Sequence, residues 1–163
     1  MDILLSKNFK LSELTRSATA SRLGIDNTPS PQVLSRLKTL CETVLQPIRD
    51  KYKKPIIVSS GYRNQIVNKA VGGVSTSDHL YGCAADIAPQ PPAFVEGQNA
   101  GEYSNTPYDK KKAVKELFDL IKQMIDNKEI TVKQLIDEKN YSWIHISFQD
   151  GRTSKINQVL HLK

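Results

Sequence analysis

Long apolar runs are missing from this 163-residue chain. No stretch approaches the roughly 18 residues needed to cross a bilayer, so no membrane segment is expected. The opening M-D-I-L-L-S-K-N-F-K lacks a basic leader, a sustained apolar stretch and a small-residue cleavage site. The expectation is therefore a protein made in the cytoplasm without a signal peptide. Cysteine is limited to Cys41 and Cys83, which have no close metal-finger spacing. Without a secretory leader, and with Cys41 on an apolar helix face, buried free thiols are expected rather than a disulfide. No H-E-x-x-H helix, internal repeat or recognisable nucleic-acid motif is present.

The length suits one domain, 1–163, able to bury its own core without staples or a partner, and a monomer is expected. A formal charge of +6 would favour an anionic partner, whether nucleic acid, acidic lipid or a wall polymer. Charge alone does not choose among them. Much of the excess sits in K-Y-K-K (51–54), in D-K-K-K-A-V-K (109–115) and in the last residues, a scatter that reads as solvated surface.

Short helices and a turn are expected over 9–31, which mixes apolar anchors with Ser, Thr, Gly and Pro. From Ser30 and Pro31, the residues Leu34, Leu37, Cys41, Val44, Leu45 and Ile48 recur at helical spacing behind a serine cap, predicting an amphipathic core helix. P-I-I-V-S-S (55–60) predicts a strand that delivers Arg63 to a loop. Q-I-V-N-K-A-V-G-G predicts a short helix stopped by glycines, and C-A-A-D-I-A-P (83–89) a buried strand. Residues 89–108 show no period and read as a long loop. Asp109 to Lys128 predicts a second helix with Val114, Leu117, Leu120 or Ile121, Met124 and Ile125 on its core face. The tail, I-T-V-K-Q-L-I-D-E, K-N-Y-S, W-I-H-I-S-F, D-G-R and N-Q-V-L-H-L-K, reads as an antiparallel meander. Without regular βαβ alternation, the expected class is α+β, with helices packed on a small antiparallel sheet.

Chemistry concentrates in S-T-S-D-H-L-Y-G-C-A-A-D, Ser75 to Asp86. His79 lies in its loop and Asp86 enters the next strand, while His145 stands in W-I-H-I-S-F. A catalytic zinc site takes three ligands from imidazole nitrogen or carboxylate oxygen and keeps one open position, a requirement that His79, Asp86 and His145 would meet. Gly82, Ala84 and Ala85 are small enough for the backbone to bend around one ion. His161 is a rival third ligand, with a structural role expected for it. Hydrolysis would also need a base, and Asp137 and Glu138 are the alternatives. If K-N-Y-S closes a four-residue hairpin, Glu138 faces Trp143 and shares a sheet face with His145, while Asp137 points away. A three- or five-residue loop reverses the assignment. Arg63 could bind a substrate carboxylate or a polarised carbonyl oxygen, and Ser77 could bond the peptide backbone or satisfy its own turn.

Taken together, S-S-G-Y-R-N, N-K-A-V-G-G-V-S-T-S-D-H-L-Y-G-C-A-A-D-I, Q-L-I-D-E and W-I-H-I-S-F resemble the zinc D-alanyl-D-alanine carboxypeptidase family. That family takes in cell-wall carboxypeptidases, vancomycin-resistance dipeptidases and phage L-alanyl-D-glutamate endopeptidases, and shares a fold with the hedgehog signalling domain. F-K-L-S-E-L-T-R-S and L-G-I-D-N-T-P look like its phage and prophage-associated branch. The resemblance implies a zinc peptidase acting on bacterial peptidoglycan stem peptides. It implies His79, Asp86 and His145 as zinc ligands, Arg63 and Ser77 as peptide contacts, and a nearby carboxylate as base. Several members carry that base three residues before the last histidine, where this chain has Ser142; the phage-like branch matches Glu138 instead. The competing expectations are a catalytically silent zinc and peptidoglycan-binding module and a basic nucleic-acid-binding protein.

Overall fold

The computed structural model describes residues 2–92 and 108–163, so the loop expected over 89–108 lies, apart from its ends, outside the described residues. The chain opens with a hairpin that the sequence pattern did not announce, β1 (Leu4–Ser6) and β2 (Phe9–Lys10), followed by α1 (Leu11–Thr15) and α2 (Ala18–Leu23). The long amphipathic segment is α3 (Pro31–Leu40), which passes through one π-helical turn, Cys41–Leu45, into α4 (Gln46–Tyr52). Its start follows from chemistry: Ser30 Oγ accepts the Val33 N–H at 3.3 Å, and Pro31 occupies a position whose N–H would have no helical partner. Then come β3 (Ile56–Ser60), α5 (Gln65–Ala70), a 3₁₀ turn at Asp78–Tyr81 and β4 (Ala84–Pro89). Last are α6 (Lys110–Asp126), capped by Asp109, and the strands β5 (Gln134–Glu138), β6 (Trp143–Ser147) and β7 (Gln158–Leu162).

Five strands form one sheet in the order β3-β4-β6-β5-β7. The pairs β3·β4, β4·β6 and β5·β6 are antiparallel, but β7 runs parallel to β5, which corrects the expected meander. The reason is that β6 is flanked on both sides, by β4 and by β5, so it has no edge left for a hairpin partner. The chain therefore crosses the end of the sheet, and Asn157 fixes the crossing by donating its N–H to Val132 O while its side chain accepts the Val132 N–H. An α+β fold with helices on a small, largely antiparallel sheet results.

Strand alternation divides this sheet by chemistry. Ala85, Ile87, Ile144, Ile146 and Leu135 share one face and bury themselves with Leu37, Leu40, Val44, Ile48, Leu117 and Ile121 of the helices. Each large aliphatic side chain so buried contributes about 1.5–3 kcal/mol, which makes this the stable half of the molecule. Asp86, His145, Ile136, Trp143 and Glu138 alternate onto the other face. Both cysteines are buried and free. The two lysine runs are less scattered than their sequence positions suggest, because Lys54 and Lys112 line one cavity together with Tyr52 and Tyr108.

Gly82 closes the 3₁₀ turn at φ 76°, and a Cβ there would lie 2.9 Å from both Cγ1 and O of Val33. Replacing Gly82 with alanine should therefore lower stability by about 1–3 kcal/mol. Urea denaturation reads this directly, and an unchanged midpoint would mean that the turn relaxes without strain.

Candidate metal centre

Cross-strand pairing sets the site. Asp86 on β4 lies directly opposite His145 on β6, so both side chains leave the same face. His79 reaches them from the 3₁₀ turn and is 2% exposed. One ligand atom from each residue lies within 4.8 Å of the others. Asp86 Oδ1 is 3.2 Å from His79 Nε2 and 3.1 Å from His145 Nδ1, and the two rings stand edge to face with centroids 5.2 Å apart.

The donor set fits a cation. His79 Nδ1 lies 2.7 Å from the carbonyl oxygen of Gly61, which can only accept, so the proton of a neutral ring sits on Nδ1. Nε2 then presents a lone pair toward a carboxylate oxygen, an arrangement that a positive charge between them satisfies. A carbonyl behind a ligating histidine is also the usual way to fix its tautomer and orientation. Burial pushes the Asp86 carboxyl up, but its contacts with His145 and His79 outweigh that and hold it well below the usual carboxylate range. Asp86 is thus ionised and available as a ligand at neutral pH.

The loop that carries Arg63 is held tightly. Gly61 has no room for a side chain, since a Cβ would lie 2.3 Å from Leu14 O, and the next residue, Tyr62, donates its N–H to that oxygen at 2.7 Å. Asn27 ties the same loop down by donating to Thr15 O and Tyr62 O at 2.8 and 3.0 Å and accepting the Asn64 N–H at 2.9 Å. Arg63 donates its backbone N–H to His79 O at 3.1 Å and Nη2 to Ser77 Oγ at 3.4 Å. Its Nε is buried with no hydrogen-bond partner among the described residues. Burial lowers its pKa while the Asp86 charge opposes the shift. Ser77 also caps the 3₁₀ turn by accepting the His79 N–H at 3.3 Å.

The two acidic alternatives separate cleanly. Glu138 pairs with Trp143, the register that a four-residue connection requires, and so emerges on the His145 face. Burial raises its pKa, with the charges of His145, Asp86, Asp137 and His79 also reaching it. Asp137 is 4% exposed on the core face, where it accepts the Tyr141 N–H and sits 3.1 Å from His161 Nδ1. His161 packs against Phe118, with ring centroids 5.1 Å apart. Neither Asp137 nor His161 joins the His79 cluster. Gly61 and Asn27 were not anticipated as supports; the glycine in S-S-G-Y-R offered a local signal, whereas the asparagine offered none.

Two imidazoles and a carboxylate brought together on an α+β domain, beside a half-buried glutamate, make a site of the metallohydrolase kind. A family model described as Peptidase M15 matches residues 7–107, and the chain belongs to that family, whose peptidases are metal-dependent. The match takes in Arg63, Ser77, His79 and Asp86 and ends before Glu138 and His145. No curated protein matches the chain.

If the cluster is the metal centre, His79→Ala should lose bound metal, whereas His161→Ala should keep it and lose only stability. Elemental analysis of the two purified variants distinguishes them. Equal metal content in both would remove His79 from the ligand set.

Proposed function

We propose that this chain is a zinc-dependent peptidase that hydrolyses the stem peptides of bacterial peptidoglycan, as a D,D-carboxypeptidase or an endopeptidase. It would act on the wall as a monomer, with residues 1–163 as one catalytic domain. Membership of the Peptidase M15 family supports the reaction class. The convergence of His79, Asp86 and His145 is the observation that carries the reading.

His79 through Nε2, Asp86 through Oδ1 and His145 through Nδ1 would hold zinc, whose two-nitrogen, one-oxygen donor set is common in hydrolytic sites. The bound ion would supply Lewis-acid chemistry, lowering the pKa of water and polarising a carbonyl. The remaining work falls to this chain's side chains. Glu138 takes the proton of the attacking water and returns it to the leaving amine, and a carboxyl whose pKa is raised by burial suits a group that must do both. Arg63, whose buried Nε has a free donor among the described residues, binds the carbonyl oxygen as it gains charge or a terminal carboxylate of the stem. Ser77 positions the peptide backbone, exchanging its weak 3.4 Å contact with Arg63 for substrate. The position of Glu138 on the His145 face argues against a silent module, even though Ser142 replaces the carboxylate that other members place three residues before the last histidine.

Glu138→Gln should cut turnover by about 100-fold or more while leaving the metal bound. Mass spectrometry of products from purified peptidoglycan, with and without a chelator, measures the loss and identifies the bond cleaved. In the unsubstituted enzyme, activity should fall with acid through a pKa above the ordinary glutamate value. Normal turnover by the glutamine variant would transfer the base role elsewhere.

A further inference from the structure

Next to His79, on the same 3₁₀ turn, Asp78 is buried with 6% exposure and meets two cations. Lys133 Nζ, itself in a residue 5% exposed, lies 2.9 Å from each carboxylate oxygen, and Arg152 Nη2 lies 2.7 Å from Oδ1. Arg152 in turn bonds Asp150 Oδ2 through Nε at 2.6 Å, and its guanidinium stacks 3.7 Å above the Tyr81 ring. Cys83 donates its thiol to Asp150 at 3.4 Å, and Arg36 from α3 stands 3.6 Å from the same carboxylate.

These charges are placed where the metal centre is assembled. Asp78 precedes the ligand His79, and Cys83 leads into β4 three residues before Asp86. Asp150 and Arg152 follow β6, the strand of His145, while Lys133 immediately precedes β5, the strand of Glu138. Backbone bonds brace the same junction: Cys83 N to Asp78 O at 3.1 Å, Phe148 N to Cys83 O at 3.0 Å and Lys133 N to Ser147 O at 2.7 Å. Every element bearing a proposed ligand or base therefore ends at one ionic knot.

We propose that the Asp78–Lys133–Arg152–Asp150 cluster is a positioning device that presets the metal-ligand geometry by locking the His79 turn to the strands of Asp86, His145 and Glu138. Stability alone is a poor reason to bury such charges, because desolvating them opposes folding and apolar packing of equal volume is often as stable. Geometry is a better reason. Bidentate and charge-assisted bonds fix direction as well as distance, and direction is what three ligands from separate segments need before an ion arrives. Asp78, Lys133 and Arg152 do not join the ligand cluster and act only through His79 and the strands.

The inference rests on the metal-centre reading above. Its test is titration of the metal-free protein with Co²⁺ alone, followed by the visible absorption of the bound ion, beside thermal unfolding of the same metal-free samples. Asp78→Asn should weaken Co²⁺ binding by about 10–100-fold and alter the band shape, as loss of groups that orient ligands does. Arg152→Gln, at a side chain 27% exposed, should give a smaller loss in the same direction. Val114→Ala, a core change on α6, should lower the melting temperature yet leave Co²⁺ affinity unchanged. Wild-type Co²⁺ affinity and spectrum in Asp78→Asn, or an equal loss in Val114→Ala, would overturn the positioning role. Should Asp78→Asn not fold, unchanged affinity in Arg152→Gln overturns it instead. Failure of the unsubstituted protein to bind Co²⁺, or binding that His79→Ala does not affect, would overturn the metal centre itself and this role with it.

Discussion

One carboxylate oxygen of Asp86 faces two imidazole nitrogens, at 3.2 Å from His79 and 3.1 Å from His145. In a neutral His79 ring the proton lies on Nδ1 toward Gly61 O, which leaves the Nε2 lone pair facing that carboxylate, an arrangement that a cation at the centre satisfies. Much of the surrounding structure serves to hold those groups in place. The β4·β6 register sets Asp86 opposite His145, the close approach of Gly61 to Leu14 fixes the carbonyl behind His79, and Asn27 anchors the loop that follows. A single-residue slip in that register would send Asp86 or His145 into the apolar core.

The sheet keeps this polar chemistry apart from the forces that fold the domain. Its core face is aliphatic and packed by α3, α4 and α6, while the opposite face carries the ligands and Glu138. Adjacent acids show how sharp the division is. Asp137, one residue from Glu138, falls on the core side, where it accepts the Tyr141 N–H and lies 3.1 Å from Nδ1 of His161, which packs against Phe118. Glu138 keeps a half-exposed carboxyl whose proton affinity is raised by burial. Strand parity alone gives two neighbouring carboxylates different chemistry.

What the sequence made legible follows from the range of the interactions involved. The helix from Ser30, the strand ending before Arg63, the helix behind Asp109 and the Glu138–Trp143 register all rest on contacts within a few residues, and each is present. The placement of β7 was misread because D-G-R looks like a hairpin turn, whereas the occupancy of both β6 edges, which forbids that hairpin, is a property of the assembled sheet. The β1·β2 pair was missed because two- and three-residue strands carry no period to read. Lys133 and Arg152 were invisible for a related reason: their partner Asp78 is 55 and 74 residues away, and an isolated lysine or arginine reads as surface.

The same distinction explains why the site is only partly local in sequence. Arg63, Ser77, His79 and Asp86 occur within the stretch matched by the family model, where short glycine-marked spacings constrain the backbone directly. His145 and Glu138 lie beyond it and are placed instead by hairpin register on an otherwise ordinary pair of strands. Joining the two halves requires interactions that neither half encodes alone. The β4·β6 ladder supplies the translation, and the buried charges around Asp78 supply orientation where the ladder ends. A substitution at that junction can therefore loosen His79 relative to His145 without touching either ligand, which makes the junction as much a part of the centre's construction as the ligands themselves.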